Sequence, residues 1–415
     1  MNNQSEIGLN TKSENLKTLA LFGGKKVRDR QMPVRKALGD DEVLVLKEAI
    51  DYYRSRDEDP PYQGKYERMF CEEYVTLMGG GYANAIATGT GSVFVALEAL
   101  QLSQGSEIII SPFCDAGSFN CIIYLGCVPV VADAAPCSFN AGVEQFEEKI
   151  TENTSAIIAV HAAGDCLEID RLVSTMHRRG IKVLEDCSQA PGATWKGKRI
   201  GTFGDIAATS TMYRKTLMTG SSGGLVFTKN IDLYHRALAC ADRGKPIWRT
   251  DYDFRSPSMH LFPALNWNTD EFSCAIGLAS LRRLDQSIQR RMNFVRALEQ
   301  QLAEKSMSCR VYSLPDGASP FFLPIWVDTS KINCDKIMFA QAVQAEGINL
   351  NPHYDFLIQD WPWAAPFGPG GVIHTPNALD TKNRSFNSFV NEQYGHQEVL
   401  DSVAAILKVE KTYCK

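Results

Sequence analysis

Short apolar runs alternate with amphipathic stretches over the first two thirds of the chain. The apolar runs predict β-strands at residues 83–87, 107–111, 128–132, 156–161, 182–185, 206–210 and 224–228. Apolar residues at helical spacing between them predict helices at residues 92–102, 119–125, 143–150 and 168–179. Strands that are apolar throughout and alternate with helices favour an α/β fold with a mostly parallel sheet, flanked by helices on both faces. Because ligands of such sheets bind beyond the carboxyl ends of the strands, candidate chemistry is expected there.

The pattern changes at about residue 268. Helical spacing then predicts a long helical stretch, a strand at 321–327, a helix at 334–346, a loop at 360–371 and a final helix at 396–410. The change divides the chain into a tail and lead-in, a large domain, and an interdomain helix with a small C-terminal α/β domain. The predicted bounds of these three parts are residues 1–36, 37–280 and 281–415.

Composition excludes several classes of partner. The 415 residues are 44% hydrophobic and 22% charged with a net charge of -5, which gives no basic footprint for nucleic acid or an anionic membrane. No apolar run approaches the ~18 residues of a membrane span, and the polar residues 1–17 favour a disordered tail over an export signal. Twelve cysteines occur without metal-ligand spacing, so no metal site is expected. Several lie in apolar runs, which favours buried free thiols in a reducing cytoplasm; these are Cys121, Cys127, Cys240 and Cys274.

The first candidate for ligand binding is ATGTGS, residues 87–92, which follows a predicted strand and opens a predicted helix. Backbone N–H groups at a helix N-terminus are unpaired and suit a phosphate. The hydroxyls of Thr88, Thr90 and Ser92 add donors. The alternative is a plain helix cap whose small residues allow close packing.

Two acids stand at the carboxyl end of the strand predicted at 182–185. An acid at the position of Glu185 or Asp186 can hold a cationic ring nitrogen or a metal, or can cap the following segment. The glycines that follow predict tight turns rather than a helix; they are Gly192, Gly197, Gly201 and Gly204.

A lysine and an amide complete the candidate set. Lys215 lies in the loop between two predicted strands, five residues after Ser210. Asn266 lies just ahead of the long helical stretch and can donate or accept hydrogen bonds. Taken alone, Lys215 is equally typical of a solvated surface lysine, and Asn266 of a turn residue.

Together these parts match the needs of pyridoxal 5′-phosphate (PLP). A phosphate cradle would anchor the cofactor, and a carboxylate would keep the ring nitrogen protonated so that the ring accepts electrons. A lysine would form the resting Schiff base and, once released as an amine, would move the substrate proton. A lysine with the ordinary pKa of ~10.4 is a poor base at neutral pH, so such a site has to lower that pKa.

The motifs resemble the DegT/StrS family of PLP-dependent sugar aminotransferases, which have the aspartate aminotransferase (type I) fold. The resemblance covers about residues 37–407. TGTGSVFVALEAL is similar to the family's phosphate loop, and LGCVPVVADAAP and VHAAGDCLEID are similar to two other family segments. The block EDCSQAPGATWKGKRIGTFGDIAATS, residues 185–210, is the most specific match. The resemblance implies a large PLP-binding domain and a smaller C-terminal α/β domain.

The resemblance also implies a role for each matching residue. Lys215 lies 29 residues after Asp186, the separation that the family keeps, and these two would be catalytic. The residues that would bind the cofactor are Thr90, Gly91, Asp186, Gln189, Ser210, Lys215 and Asn266. Asn266 would reach the phosphate of the neighbouring subunit, which implies a homodimer. The substrate pocket would include Asp115, His353 and Tyr354.

The implied activity is an aminotransferase reaction. The amino donor would be L-glutamate or L-glutamine, and pyridoxamine 5′-phosphate would carry the amino group between the two half-reactions. The acceptor would be a keto sugar, often nucleotide-linked, or a cyclitol ketone. A branch of the family that dehydrates nucleotide sugars has histidine at the lysine position, so Lys215 favours amino transfer.

The sequence departs from the family pattern near the substrate. Ser221 and Ser222 stand where the family has an acid and a glycine, and Asn268 and Ser273 replace an arginine and a glutamine. The family's aromatic residue a few positions after the proline of SPFCDAGSF is not evident here; Asp115 falls nearest that place, so Phe113 or another segment would have to cover the ring. Two alternatives therefore stay open: another PLP-dependent reaction on the same scaffold, or a non-catalytic regulatory protein that binds PLP or a sugar. The intact lysine, aspartate and serine set disfavours the second.

Overall fold

Helices and strands alternate along residues 16–415, the part of the chain that this computed structural model describes. The helices are α1 (Asp40–Arg54), α2 (Lys65–Leu77), α3 (Gly89–Ala99), α4 (Ala116–Tyr124), α5 (Val143–Glu147), α6 (Ile169–His177), α7 (Ile231–Ala241), α8 (Glu271–Arg282), α9 (Leu284–Lys305), α10 (Lys336–Ala345), α11 (Pro376–Asn383) and α12 (His396–Tyr413). The strands are β1 (Tyr82–Ile86), β2 (Glu107–Ile110), β3 (Val128–Val131), β4 (Thr154–Val160), β5 (Lys182–Asp186), β6 (Thr194–Trp195), β7 (Lys198–Arg199), β8 (Ile206–Ser210), β9 (Gly224–Thr228), β10 (Cys309–Val311), β11 (Phe322–Val327), β12 (Leu350–Asn351) and β13 (Ser385–Phe389). The predicted tail at residues 1–15 lies outside the described residues.

Seven strands form one large sheet in the order β1-β9-β8-β5-β4-β2-β3. Neighbouring strands from β8 to β3 run parallel, whereas β9 is antiparallel to both β8 and β1. The predicted α/β fold with a mostly parallel mixed sheet is therefore confirmed. All seven predicted strands are present, and their ends lie within two residues of the predicted ends.

The large sheet is buried on both faces because successive side chains of each strand enter different cores. In β2, Ile108 and Ile110 pack into one core together with Phe119 of α4. Ile109 packs into a second core together with Met176 of α6. This alternation explains why the strands are apolar throughout, and it aims consecutive side chains at the strand ends in opposite directions.

A second sheet forms the C-terminal part of the fold. Its four strands have the order β10-β11-β13-β12, and every neighbouring pair is antiparallel. Side chains of α9 and α12 complete its core, and Leu19 and Met32 of the lead-in are buried there as well. Helix α8 crosses the predicted boundary at residue 280, and the domain bounds stay a prediction.

Helix α2 begins with the help of a distant carboxylate. Its N-cap is Gly64, which has no side chain to accept the unpaired N–H groups of the first turn. The buried carboxylate of Glu271, at the start of α8, accepts the N–H groups of Tyr66 and Glu67, both at 2.8 Å. This contact fixes α2 against α8 beside the large sheet, and local sequence around α2 does not reveal it.

Two further expectations concern the surface and the thiols. None of the helices within residues 16–415 combines the length and the hydrophobicity that a membrane crossing requires. The four cysteines in apolar runs are buried free thiols, as predicted: Cys121, Cys127, Cys240 and Cys274.

Candidate active site

Polar segments meet at the carboxyl edge of the large sheet. The segment after β1 carries Thr88, α4 follows β2 and carries Ser118, β5 ends at Asp186, and the loop after β8 carries Lys215. Ser118 Oγ donates to Asp186 Oδ2 at 2.8 Å, which joins two of these segments directly. The structure therefore brings Asp186 close to Lys215 at the edge where ligands of parallel sheets bind, together with Ser118, which the sequence did not single out.

The predicted phosphate cradle lies at the start of α3. Thr88 is the N-cap, so the helix begins at Gly89, three residues earlier than predicted. A Cβ on Gly89 would lie 2.4 Å from Ser210 Cβ and 2.6 Å from Ser210 Oγ. Because only glycine allows this approach, the first turn of α3 and the hydroxyl of Ser210 lie side by side. Unpaired N–H groups next to a hydroxyl suit a phosphate.

Gly91, one of the two residues predicted to bind the phosphate with Thr90, has two structural tasks. The N–H of Gly91 donates to Thr88 Oγ1 at 2.8 Å and so caps the helix. A Cβ on Gly91 would lie 2.8 Å from Trp267 Cε3, so this glycine also permits close packing. Phosphate binding through Gly91 stays a prediction, whereas the cap and the packing explain the residue without a ligand.

The two acids of β5 have separate tasks because consecutive side chains of a strand point in opposite directions. Asp186 faces the site, where its carboxylate accepts the Ser118 hydroxyl and the N–H of Ser188 at 3.0 Å. Glu185 faces away, and its fully buried carboxylate accepts N–H groups of the glycine-rich turns. These donors are Gly201 at 2.7 Å, Phe203 at 2.9 Å and Gly204 at 2.7 Å. Asp186 thus caps the following segment and faces the site, where its pairing with a ring nitrogen stays a prediction, and Glu185 organises the turns.

Gln189 joins Asp186 at the site. Its Oε1 accepts the N–H of Ala163 at 3.0 Å, so its amide nitrogen faces the other way as a donor. The Tyr354 hydroxyl hydrogen-bonds to the Gln189 side chain, and burial raises the pKa of Tyr354 well above its ordinary value. Tyr354 therefore lies beside Gln189, its place in the substrate pocket stays a prediction, and the Gln189 amide nitrogen is a donor.

Lys215 is half-buried and its amine is held in an environment that opposes its charge. Burial lowers the pKa of Lys215 to about 8, although the nearby carboxylates of Asp186 and Asp115 favour the charged form. The Nζ atom lies 4.3 Å from the centre of the Phe321 ring. Phe321 was missed by the sequence analysis, since it comes from the segment before β11 and no local motif marks it.

The residues after Lys215 tie its loop to the phosphate cradle. Ser222 Oγ donates to the carbonyl oxygen of Ala87 at 2.8 Å, and the carbonyl oxygen of Ser221 accepts the N–H of Tyr213. The hydroxyls of Thr211 and Thr219 are 2.8 Å apart and close the base of the loop. The departure from the family pattern at residues 221 and 222 thus has a structural use.

Three predicted residues lie apart from Lys215 or have other partners. Asn266 is exposed, and its Oδ1 accepts from Asn268 Nδ2 at 2.8 Å, so its amide is held in place. His353 Nε2 lies 3.4 Å from a carboxylate oxygen of Asp355. Burial, with Lys382 as the next cause, lowers the pKa of His353. Asp115 is the exposed N-cap of α4 and acts on Lys215 through its charge.

Phe113 does not cover a ring in this site. It is fully buried against Phe139, with ring centres 4.8 Å apart. The aromatic side chain beside Lys215 is Phe321 instead. Phe321, from the segment before β11, is therefore the candidate for covering a bound ring.

The side chains present fit PLP. A glycine that permits close approach of Ser210 forms the cradle, and an oriented carboxylate and a donor amide flank the site. Lys215 supplies an amine that is half neutral near pH 8. These are the phosphate, ring-nitrogen, ring-oxygen and amine functions that the cofactor requires.

Comparison with known proteins agrees with this geometry. A model of the DegT/DnrJ/EryC1/StrS aminotransferase family matches residues 52–404. GDP-perosamine synthase of Escherichia coli O157:H7 is 34% identical over 230 residues, which are 55% of this chain and 60% of that protein. A putative L-glutamine:3-amino-2,3-dideoxy-scyllo-inosose aminotransferase of Micromonospora echinospora is 30% identical over 289 residues, which are 69% of this chain and 66% of that protein. The chain thus matches less than two thirds of the length of either relative.

A solved structure shows the same fold. The aminotransferase from Psychrobacter cryohalolentis has a TM-score of 0.81 to this chain at 23% identity. The likeness covers 91% of this chain and 98% of that one, so both sheets and the helices around them are shared.

The depressed pKa of Lys215 can be measured by acetylating the cofactor-free chain over a range of pH and following each lysine by peptide mass. We expect a midpoint of about 8 for Lys215. Asp115→Asn should lower the midpoint further, because removing a negative charge disfavours the ammonium form. Lys336, whose pKa burial also lowers to about 8 without any contribution from Asp115, is the internal control and should not move. A Lys215 midpoint near 10.5 would contradict the assigned environment.

The structural task of Glu185 is tested with Glu185→Gln. The neutral amide replaces one carboxylate oxygen by a donor, which would face either the Gly201 N–H or the N–H groups of Phe203 and Gly204, so the free energy of unfolding should fall by about 2–4 kcal/mol in urea titrations. Glu147→Gln, which breaks only a surface pair with Arg179, should change it by roughly 0–1 kcal/mol. Equal effects of the two substitutions would remove the assigned task.

Proposed function

We propose, from the premise that the chain belongs to the DegT/DnrJ/EryC1/StrS aminotransferase family, that it is a PLP-dependent aminotransferase acting on a keto sugar or a cyclitol ketone. The amino donor is L-glutamate or L-glutamine. The observation that carries the proposal is the half-buried amine of Lys215, with a pKa of about 8, beside the oriented carboxylate of Asp186. An amine in this state serves both as a nucleophile and as a proton carrier near neutral pH.

Each side chain has one task. When bound, PLP supplies an electron-accepting ring that stabilises negative charge on the substrate carbon. Asp186 pairs with the ring nitrogen, and Ser118 and the Ser188 N–H keep its carboxylate oriented. Ser210 and the first turn of α3 hold the phosphate. The amide nitrogen of Gln189 donates to the ring oxygen.

Lys215 holds the cofactor and moves the substrate proton. At pH 8 about half of its amines are neutral, whereas an ordinary lysine would be neutral in well under 1%. Phe321 covers one side of Nζ and keeps water from it, which lowers the pKa of the amine and protects the transferred proton from exchange.

The acceptor is proposed from the names of relatives. One matched relative is a GDP-perosamine synthase and the other is named as an L-glutamine-dependent inosose aminotransferase. The second name describes amino transfer to an inosose, which is a cyclic hydroxylated ketone, and the first describes the synthesis of a GDP-linked amine. We place His353 and Tyr354 in the substrate pocket, since Tyr354 already contacts Gln189. Screening the amino-loaded protein against keto sugars, with and without a nucleotide, and cyclitol ketones by mass distinguishes the acceptors.

We further propose a homodimer in which Asn266 reaches the phosphate site of the partner subunit. Asn266 is exposed in the single chain and its amide is fixed by Asn268. A row of large apolar side chains is also exposed along the lead-in and α1: Val34, Leu38, Val43, Leu44 and Ile50. Apolar area of this kind is typical of subunit contacts. The buried free thiols support the cytoplasm as the compartment.

Cofactor attachment is tested by reducing the PLP-loaded protein with borohydride and mapping the fixed cofactor by mass. We expect the label on Lys215, together with an absorption band near the visible edge that Lys215→Ala abolishes. Lys336 has a similarly lowered pKa and serves as the control for unspecific attachment. Label on Lys336 as readily as on Lys215, or a protein that takes up no PLP, would overturn the cofactor assignment.

Asp186→Asn separates binding from catalysis. The amide keeps the size of the side chain but cannot hold a protonated ring nitrogen, so PLP should still bind while turnover falls roughly 10²–10⁴-fold. Turnover is followed as 2-oxo acid release from the donor, and bound PLP by absorbance. Unchanged turnover would remove the assigned role.

Mixed dimers test the sharing of Asn266. If Lys215→Ala and Asn266→Ala chains are unfolded and refolded together, half of the dimers are mixed and each mixed dimer has one complete site. About a quarter of wild-type activity should therefore return. A mixture of Lys215→Ala with Asp186→Asn chains is the control, because these two changes lie in one chain's own site and no mixed dimer restores it. No gain over the control would show that Asn266 acts within its own chain or not at all.

A further inference from the structure

A cluster of two arginines and one glutamate, of which Arg291 is fully buried and the other two are partly buried, lies behind the lysine loop. Arg291 of α9 is 1% exposed, and its Nε and Nη2 donate to Glu392 Oε2 at 3.2 and 2.9 Å. Arg35 of the lead-in donates through Nε to Glu392 Oε1 at 3.1 Å. Glu392, in the segment after β13, therefore pairs with two guanidinium groups that arrive from distant parts of the chain.

Both arginines also donate hydrogen bonds to the loop that carries Lys215. Arg291 Nη1 donates to Thr216 Oγ1 at 2.9 Å. Arg35 Nη1 donates to the carbonyl oxygen of Tyr213 at 3.0 Å, and its Nη2 donates to that of Thr216 at 3.3 Å. The backbone is thus held on both sides of the lysine.

Arg291 has one more partner, which precedes the aromatic residue beside the Lys215 amine. The same Nη1 donates to the carbonyl oxygen of Pro320 at 3.0 Å. The next residue is Phe321, whose ring centre lies 4.3 Å from Lys215 Nζ. One guanidinium therefore fixes both the loop that bears the lysine and the segment that carries the ring covering it.

We propose that Arg291, with Glu392 and Arg35, is a positioning residue that holds Lys215 under Phe321 and thereby keeps the amine poorly hydrated. The catalytic meaning of this arrangement rests on the proposed aminotransferase function, but the arrangement itself does not. A planar guanidinium has five donors spread over three nitrogen atoms in a fixed fork, so Arg291 can serve Thr216, Pro320 and both hydrogen bonds to Glu392 at once, whereas an ammonium group has three donors on one atom.

Loss of the hydrogen bonds that Arg291 donates to Thr216 and Pro320 should let water reach Lys215 Nζ. The carboxylates that act on the amine, Asp186 and Asp115, stay in place, so the loss of burial would leave their attraction for the charged form unopposed. The amine would then titrate closer to the pH of an ordinary lysine. A purely structural arginine would lower stability without moving this midpoint.

The test compares Arg291→Lys with Arg28→Lys in the full chain. Arg28 is an equally buried arginine that pairs with Glu398 at 3.0 Å and with Asp401, and it makes no contact with the lysine loop. Acetylation of the cofactor-free chain gives the Lys215 midpoint, and urea titration gives the stability. We expect both variants to be less stable, but only Arg291→Lys to raise the midpoint, by about one pH unit or more, with a tenfold loss of neutral amine at lower pH.

Thr216→Val is the second variant, since it removes one acceptor of Arg291 and leaves the ion pairs intact. It should raise the midpoint in the same direction by a smaller amount, and it serves if Arg291→Lys does not fold. An unchanged Lys215 midpoint in both variants, or an equal rise in Arg28→Lys, would overturn the proposal. Failure of the wild-type chain to take up PLP would contradict the proposed function instead. The acetylation midpoints of Lys215 would still decide the role of Arg291.

Discussion

Near neutral pH a lysine amine that is exposed to water keeps its proton, so the site depends on keeping water away from Lys215. Lowering the pKa of Lys215 from 10.5 to about 8 corresponds to roughly 3 kcal/mol against the charged form. Asp186 and Asp115 pull in the opposite direction, so burial has to outweigh both. Because the unfolded chain binds this proton more tightly, the lysine opposes folding most below about pH 8 and no longer does so above about pH 10.5. The rest of the fold supplies the stability that offsets this.

Burial of Lys215 requires segments that are far apart in the chain. The lysine stands on the hairpin between β8 and β9, while Phe321 enters from the segment before β11. Arg291 on α9 joins the two by bonds to Thr216 and Pro320. Residues next to the large sheet and next to the small sheet therefore meet at the amine. The packing of the two sheets thus sets the environment of Lys215.

The period of the strand decides which acid faces the candidate site and which faces the glycine-rich turns. Glu185 and Asp186 are adjacent and chemically alike, yet one accepts three backbone N–H groups of the glycine turns and the other accepts the Ser118 hydroxyl at the site. Sequence could place both at the end of β5 but could not by itself orient them. Ser118 shows the same limit, since its partner is 68 residues away and nothing local marks it.

The sequence by itself determined the seven strands of the large sheet, the mostly parallel mixed class and the family, and it predicted Lys215 and Asp186 as the catalytic pair. These follow from local apolar patterns and from motif spacing, which are properties of short stretches. The start of α3, the cap on α2 by Glu271 and the cover of Lys215 by Phe321 were decided only by the tertiary structure. Each of them depends on a contact between segments that are distant in sequence or on an approach that a single glycine permits. Burial, which lowers the pKa of Lys215, arises only in the folded chain, so no single sequence motif predicts it.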